Sequence, residues 1–242
     1  MFQGHPVTVL VPAYDEEQTI AEVVSEFAAE ECVDRVLVVD NNSKDRTAEL
    51  ARGAGAEVLC ELEPGYGSAL RAGLDHLAAE QGDGIVVITE ADGSFRAADT
   101  WKLLHYLSDA SMVLGTRTTK QMVQQGANMD AKLRWGNVLM AKLLELFWYF
   151  PQEPRLTDVG CTYRALWTES WRKIGPGTSE TGPQFSPEMI CEAYRQGMRV
   201  IEIPVHYGAR LGGASKHSET FSKVARTALG MFRTICRKRL RG

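Results

Sequence analysis

The chain has 242 residues, 44% hydrophobic and 24% charged, which suits one large α/β domain or two small ones. No run of about 18 uncharged apolar residues occurs, and the stretch Met1 to Pro6 lacks a basic segment followed by an apolar one. Neither a transmembrane helix nor a secretory signal is therefore expected. The net charge of −4 is unevenly spread: seven cations and no acid lie between Lys223 and Arg241, leaving 20 basic against 31 acidic residues elsewhere. An acidic body with a basic tail points to an anionic surface as the tail's partner and away from nucleic acid. The five cysteines (32, 60, 161, 191, 236) are scattered without paired spacing and read as reduced thiols in a cytosolic compartment.

In chain order, Val7 to Val11 reads as a short buried strand stopped by Pro12. Ile20, Val23, Val24, Phe27 and Ala28 follow at helical spacing. Val36 to Val39 is a second strand, ending at Asp40-Asn41-Asn42-Ser43, which offers helix-capping side chains, with Asp45 in the first turn. Ala48, Ala51 and Ala54 make a small-residue helix face that Gly55 stops. Glu57 to Leu59 is a third strand, and Glu63 to Ser68 a glycine-rich turn opening a helix from Ala69 to Ala79. Val86 to Thr89 is apolar and of strand type, so it reads as a buried central strand. It emerges into Glu90-Ala91-Asp92-Gly93-Ser94, two acids at i and i+2 that can share one hard cation. A helix near Ala98 to Leu107 and a strand Met112 to Leu114, ending at Gly115-Thr116-Arg117, complete an alternating pattern. That pattern predicts a mostly parallel sheet with right-handed crossovers and helices on both faces.

The second half reads differently. Thr118 to Asp130 is polar and loop-like. Val138 to Phe150 carries only Lys142 and Glu145 as charges; it is either a core helix or one lying in a membrane interface, with Trp148 and Tyr149 at headgroup depth. Trp171 to Gln184 reads as a loop. Ser186 and Pro187 suit the N-cap and first position of a helix, and Glu188 follows them. Val200 to Pro204 is a strand, and Arg210 to Lys216 a basic glycine-containing loop. In the last helix Phe221, Val224, Ala225, Ala228, Leu229, Phe232, Ile235 and Cys236 form an apolar face opposite Arg226, Arg233, Arg237 and Arg241.

Four strand ends thus reach the carboxyl edge of the sheet, where open α/β sheets bind ligands. They carry Pro12-Ala13-Tyr14-Asp15-Glu16, Asp40, Glu90 with Asp92, and Arg117. A ring that can stack a base, an acid for a base N–H and a cation-binding acid pair make a nucleoside-diphosphate site. The first turn lacks GxGxxG and no P-loop is present, which argues against a nicotinamide enzyme and a P-loop NTPase. The glycine-rich basic signature of a nucleotidyltransferase is also missing near the N-terminus.

The order and spacing of seven pieces carry a resemblance. They are Val11 to Glu17, Val38 to Asp45, Glu90 to Asp92, Gly115 to Arg117, Asp158 to Arg164, Phe185 to Glu188, and Arg210 to Lys216. Over almost its whole length the sequence resembles a family 2 glycosyltransferase of the GT-A fold, in the dolichol-phosphate mannose synthase-like branch. The resemblance implies a Rossmann-like GT-A domain over residues 1–217, with a nucleotide-sugar half at 1–117 and an acceptor half at 118–217. A basic amphipathic helix at 218–242 would follow. It implies that Pro12, Tyr14 and Glu16 hold the nucleoside, and that Asp40 accepts from the base. Asp92 would ligate Mg²⁺ or Mn²⁺, with Glu90 serving the metal, a bound water or the ribose. Arg210 and Lys216 would close on the diphosphate, and Arg117 and Arg134 would grip an acceptor phosphate. Two departures stand out: Glu90 replaces the first acid of the usual Asp-x-Asp, and Asn41 replaces the second of an Asp pair.

A phosphate monoester is already anionic at neutral pH, its second pKa being about 6. Such an acceptor needs positioning by arginine more than it needs a general base. A sugar hydroxyl would need a base, for which Asp158 and Glu188 are the candidates, each of which can also be read as a capping or first-turn acid. The expected activity is metal-dependent inverting transfer of a sugar from a GDP- or UDP-linked donor to a polyprenyl phosphate, on the cytosolic membrane face. The alternatives are a soluble hydroxyl acceptor or a catalytically silent nucleotide-sugar-binding protein.

Overall fold

A computed structural model describes residues 1–80, 82–127, 131–212 and 221–240. The first half runs β1 (Val7–Ala13), α1 (Ile20–Ala28), β2 (Arg35–Asp40), α2 (Thr47–Gly53), β3 (Glu57–Cys60), α3 (Tyr66–Glu80), β4 (Ile85–Ile88), α4 (Thr100–Leu107) and β5 (Met112–Thr116). The second half runs α5 (Ala131–Phe147), α6 (Tyr149–Gln152), β6 (Arg164–Trp167), α7 (Thr168–Ile174), α8 (Phe185–Arg195), β7 (Val200–Pro204) and α9 (Phe221–Leu240). The seven strands lie in one sheet, in the order β3-β2-β1-β4-β6-β5-β7. All pairings are parallel except those of β6, which runs antiparallel to both β4 and β5.

The mostly parallel α/β architecture expected from the alternating pattern is present. Each central strand sends alternate side chains to opposite faces, as the pleat requires. Val7, Val9 and Val11 of β1 join Phe27, Leu103 and Tyr163 in one core. Leu10 of the same strand joins Leu70, Leu74 and Trp171 in the other. Both faces are covered, which is why these strands read as continuous apolar runs.

Strand β6 is not foreseen by the pattern. Its four residues fill the slot between β4 and β5, and Arg164 is in register with both Ile88 and Leu114. Because β6 enters the sheet at the edge where β4 and β5 leave it, the segment just before it, residues 158–163, is carried to the same rim as Glu90 and Arg117. Arg164 anchors that entry: it is 1% exposed, and its guanidinium donates to the carbonyls of Ser186 (3.1 Å) and Cys161.

Several boundaries move. Helix α2 begins at Thr47 rather than at the Asn41-Asn42-Ser43 segment; Asp45 Oδ1 accepts from the Thr47 amide at 2.9 Å, a local turn that leads the chain into the helix. Helix α8 starts at Phe185, so Pro187 lies inside the first turn, where its missing N–H costs nothing. Trp171 to Ile174, expected as loop, are helical in α7 because Trp171 is buried in the core and its indole N–H donates to Asp75 at 2.8 Å.

Helix α9 does not bury the whole of the apolar face read from its sequence. Its inward face is Met231, Thr234, Ile235 and Lys238, whereas Leu229 and Phe232 are 48% and 43% exposed. Polar partners decide this. Lys238 Nζ reaches Glu188 (2.9 Å) and Glu192 (2.8 Å), both buried, and Thr234 Oγ1 donates to Glu180 at 2.8 Å. Arg237 adds ion pairs to Glu180 (2.6 Å) and Glu188 (3.4 Å). Turning the apolar stripe inward would leave the buried Glu188 carboxylate without the Lys238 and Arg237 cations, at several kcal/mol, and Glu192 with Arg195 alone.

The loop that receives α9 also fixes the glycine turn ahead of α3. Gly67 donates its amide to the Thr181 carbonyl at 2.6 Å. A Cβ on Gly67 would sit 2.9 Å from Phe185 Cβ and from the Thr181 carbonyl carbon. Gly67→Ala should lower stability by about 1–3 kcal/mol through overpacking, whereas Gly82→Ala, which meets nothing within 4 Å, should leave the unfolding midpoint nearly unchanged. Denaturant titration of the two variants checks the difference.

Candidate active site

At the carboxyl edge of the sheet lies a cavity of about 460 Å³. Pro12, Ala13, Tyr14 and Glu16 line it from the end of β1, and Asn41, Asn42 and Lys44 from the end of β2. Glu90, Ala91 and Asp92 line it beyond β4, with Arg210 across from them and Pro64, Gly65 and Tyr66 from the glycine turn. Of the twelve side chains singled out from the sequence, Pro12, Tyr14, Glu16, Glu90, Asp92 and Arg210 meet there. Asp40 sits just behind this lining at the last position of β2, 7% exposed, with Oδ1 lacking a hydrogen-bond partner. Lys216 lies outside the described residues.

The β1 loop is shaped by its neighbours. Asp15 adopts a left-handed conformation (φ 50°), its amide donates to Ser43 Oγ at 3.0 Å, and its Oδ1 accepts from the Lys44 amide at 2.7 Å. Glu16 donates its amide to Thr47 Oγ1 at 2.8 Å. Tyr14, between these fixed points, stays 44% exposed on the cavity wall.

Asn41 explains one departure from the expected motif. Its Nδ2 donates to the carbonyls of Glu61 (3.1 Å) and Glu63 (2.7 Å), and its Oδ1 accepts from the Gly65 amide (2.7 Å). A carboxylate could not make the first two contacts. Asn41 thus pins the strand-to-turn segment that floors the cavity, a role no spacing in the sequence advertises.

The acidic turn is held from three sides. Thr19 Oγ1 donates to the Ala91 carbonyl at 2.7 Å. Ser94 donates its amide to Asp92 Oδ1 at 2.9 Å, and Thr162 Oγ1 donates to Glu90 Oε1 at 2.8 Å. Asp92 Oδ2 is buried and lies 2.9 Å from Arg210 Nε, as an ion pair whose alignment does not make a hydrogen bond. Burial first, and then the neighbouring Asp92 charge, push the Glu90 carboxyl up to about 7, against the pull of Arg117, the Thr162 hydroxyl and Arg210. Two acids whose charges oppose one another in a half-closed site favour a bound cation.

Arg210 owes its place to a short zipper. Gly208 donates to the Ser94 carbonyl (2.7 Å) and Leu211 to the Asp92 carbonyl (2.9 Å). The Leu211 side chain lies over Gly93, whose φ of +71° and missing Cβ both permit the approach.

Arg117 is on the rim but beyond the cavity lining. Its Nε and Nη2 grip Asp158 at 2.9 and 3.0 Å, its amide reaches the same carboxylate at 3.1 Å, and Tyr207 lies under its guanidinium at 5.3 Å. Burial alone would lower the pKa of this guanidinium; the Asp158 charge and hydrogen bonds, with smaller help from Cys161 and Tyr207, together outweigh it and raise the pKa. Asp158 is fully buried and also accepts from the Gly160 amide at 3.2 Å. With both oxygens engaged, Asp158 is arranged to orient Arg117 rather than to take a proton. Arg134 is half-buried in the first turn of α5, one turn ahead of Asn137. Asn137 Oδ1 in turn crowds Gly160 beside the Arg117 guanidinium, at 2.8 Å from where a Cβ would stand.

Glu188 is elsewhere. Its carboxylate accepts from the amides of Ser179 (2.9 Å) and Glu180 (2.8 Å) and pairs with Lys238. The geometry makes it part of the α9 seat.

A family model described as "Glycosyl transferase family 2" matches residues 8–166, which include every residue of the cavity lining named above except Arg210. The chain belongs to that family. It is 36% identical over 218 residues to an uncharacterized glycosyltransferase of Mycobacterium tuberculosis, covering 89% of this chain and 91% of that one. It is 30% identical to a dolichyl-phosphate hexose transferase of Haloferax volcanii (85% and 84% covered) and 28% identical to an undecaprenyl-phosphate mannosyltransferase of Micrococcus luteus (88% and 87%). Among solved structures, glucosyl-3-phosphoglycerate synthase of M. tuberculosis, in complex with Mn²⁺, UDP-glucose and phosphoglyceric acid, superposes with a TM-score of 0.74 at 19% identity, covering 98% of this chain and 80% of that one. That likeness establishes the GT-A fold. The protein is a family 2 glycosyltransferase, and the resemblance read from the motifs is correct.

Asn41→Asp should destabilise the cavity floor by about 1–3 kcal/mol, since the Glu61 and Glu63 carbonyls lose their donor and face a charge. Nucleotide affinity should fall in parallel. Calorimetric titration with nucleoside diphosphates and a melting curve check both.

Proposed function

We propose that this glycosyltransferase moves a sugar, with inversion, from a nucleoside-diphosphate donor to a polyprenyl phosphate at a membrane surface. The donor half of the reading rests on the cavity: an exposed ring at Tyr14, an unpartnered buried oxygen on Asp40, and the Glu90 and Asp92 carboxylates facing Arg210. These residues fit a Mg²⁺ or Mn²⁺ ion. Asp92 Oδ2 is a buried oxygen with no hydrogen bond, Glu90 brings a second carboxylate, and both are hard donors. When bound, such an ion supplies Lewis-acid stabilisation of the diphosphate leaving group. Arg210, now paired with Asp92, is within reach of the same charge and can transfer its pairing to the diphosphate. Arg117, oriented by Asp158, offers its remaining Nη1 to an acceptor phosphate, and Arg134 is the second cation of that subsite. An anionic phosphate oxygen needs no base to deprotonate it, consistent with Asp158 and Glu188 both being occupied.

The observation that carries the lipid acceptor is an apolar ridge leading away from that subsite. Trp135 (67% exposed), Leu139 (65%) and Leu146 (71%) recur along α5, and Phe150 (79%) continues the line past its end. Of the two readings open for Val138 to Phe150, the interfacial one suits these exposed side chains, but Trp148, expected at headgroup depth, is instead buried and turns into the core with Ala141 and Leu144. Helix α9 packs beside α5 and exposes Leu229 and Phe232 with Arg226, Arg233 and Arg239. Apolar anchors ringed by cations suit an anionic leaflet, each cation contributing about 1 kcal/mol near the surface. No helix among the described residues is long and apolar enough to cross a membrane. The names of the Haloferax and Micrococcus relatives support the same acceptor class.

The test is a transfer assay pairing GDP- and UDP-sugars with polyprenyl phosphate in anionic vesicles, and with soluble hydroxyl and phosphate acceptors. Sugar should enter the lipid fraction only with a divalent ion present, and Asp92→Ala should lower turnover by about 10²–10³-fold while the fold survives. Transfer to a soluble hydroxyl without any lipid requirement, or full turnover of Asp92→Ala in chelator, would overturn the reading.

A further inference from the structure

We propose that Glu57, His76 and Glu80 form a second metal site, for a divalent cation of the zinc class, on the side of the sheet away from the donor cavity. Glu57 opens β3 and Glu80 closes α3, so the cluster stands at the amino edge of the sheet. His76 and Glu80 are one helical turn apart on α3, and Glu57 meets them from the strand. His76 Nε2 lies 3.2 Å from Glu57 Oε1 and 3.3 Å from Glu80 Oε1, and all three donor atoms fall within 4.8 Å of one another. Tetrahedral zinc, with bonds of about 2.0–2.2 Å to nitrogen and oxygen, sets neighbouring donors about 3.3–3.5 Å apart. The His76–Glu80 edge, at 3.3 Å, already has that length, and the His76–Glu57 edge, at 3.2 Å, is just short of it.

The supporting contacts point the same way. The Arg35 guanidinium takes the other oxygen of each carboxylate, Glu57 Oε2 and Glu80 Oε2, both at 3.1 Å, and its Nε is fixed on Thr8 Oγ1 at 3.1 Å. Arg35 therefore turns one free oxygen of each acid toward His76, as outer contacts around metal ligands do. Three lone-pair atoms converge on one point. A single imidazole N–H can answer only part of that demand, whereas a cation answers all of it. Two carboxylates against one guanidinium leave a net negative charge to receive it. One imidazole with two carboxylates suits Zn²⁺ better than Mg²⁺, which prefers oxygen alone. The side chains are 28–43% exposed, so entry is open and water can complete the coordination. The ion would clamp β3, the edge strand of the donor half, onto α3, whose first turn floors the cavity.

The test uses the full chain and Zn²⁺ alone, by isothermal titration and by melting. Wild type and Asp92→Ala should both bind one zinc at this site and melt higher with it, because a ligand of the folded state raises apparent stability. His76→Gln should weaken that event by more than the roughly 10–100-fold typical of a lost supporting contact, and should abolish the rise in melting temperature. Co²⁺ bound to wild type should show the absorption of low-coordinate cobalt, absent in His76→Gln. Zinc binding equal in wild type and His76→Gln, loss of all zinc binding in Asp92→Ala, or no zinc binding by wild type would each overturn the site. None of these results depends on the sugar acceptor.

Discussion

The pair of carboxylates beyond β4 is the constraint around which this molecule is arranged. Glu90 and Asp92 leave a strand buried on both faces and stand close enough that the Asp92 charge opposes ionisation of Glu90. Nothing on the strand itself compensates for that. Compensation arrives from the turn itself, through the Ser94 amide on one oxygen of Asp92, and from distant parts of the chain, through the Thr162 hydroxyl on Glu90 and the Arg210 guanidinium against the other Asp92 oxygen. Each reaches the rim through a different structural device, and the cavity is the space those devices enclose.

Two of the devices are topological. The antiparallel strand β6, wedged into an otherwise parallel sheet, delivers residues 158–163 to the rim, so that Thr162 meets Glu90 and Asp158 meets Arg117. The zipper from Gly208 to Leu211 lays Arg210 over the acidic turn. A third device links the far end of the chain to the cavity floor. Arg237 and Thr234 of α9 hold Glu180, and the backbone of Glu180 and Thr181 seats Arg71 and the amide of Gly67. The basic helix is thus tied into the packing of the catalytic domain, and only part of its charge is left for an outside surface.

Much of the donor side was legible in the sequence because its signals are local. A buried run ending in two acids, a Pro-x-Tyr turn after another strand and an acid at the end of a third all name the same rim. The residues that hold those groups in place were not legible, because each depends on a partner far along the chain. Asn41 looks like a lost acid until Glu61, Glu63 and Gly65 are beside it. β6 has too few residues to show a period and exists only because β4 and β5 flank it. Hydrophobic spacing put Leu229 and Phe232 on one face with Ile235 but did not show that the buried carboxylates of Glu188 and Glu192 demand Lys238, which turns Leu229 and Phe232 outward. Glu188 was read as a possible base for the same reason: its carboxylate was visible in the sequence and its partners were not.

The central claim is that Glu90 and Asp92 grip a donor diphosphate through a divalent ion while Arg210 changes partners. Anomalous scattering from a crystal grown with Mn²⁺ and a nucleoside diphosphate tests it most directly. The account predicts a manganese peak bonded to Asp92, with Arg210 moved from that carboxylate onto the diphosphate. A nucleotide bound in the cavity with no metal at Asp92, and with the Arg210 pair intact, would contradict it.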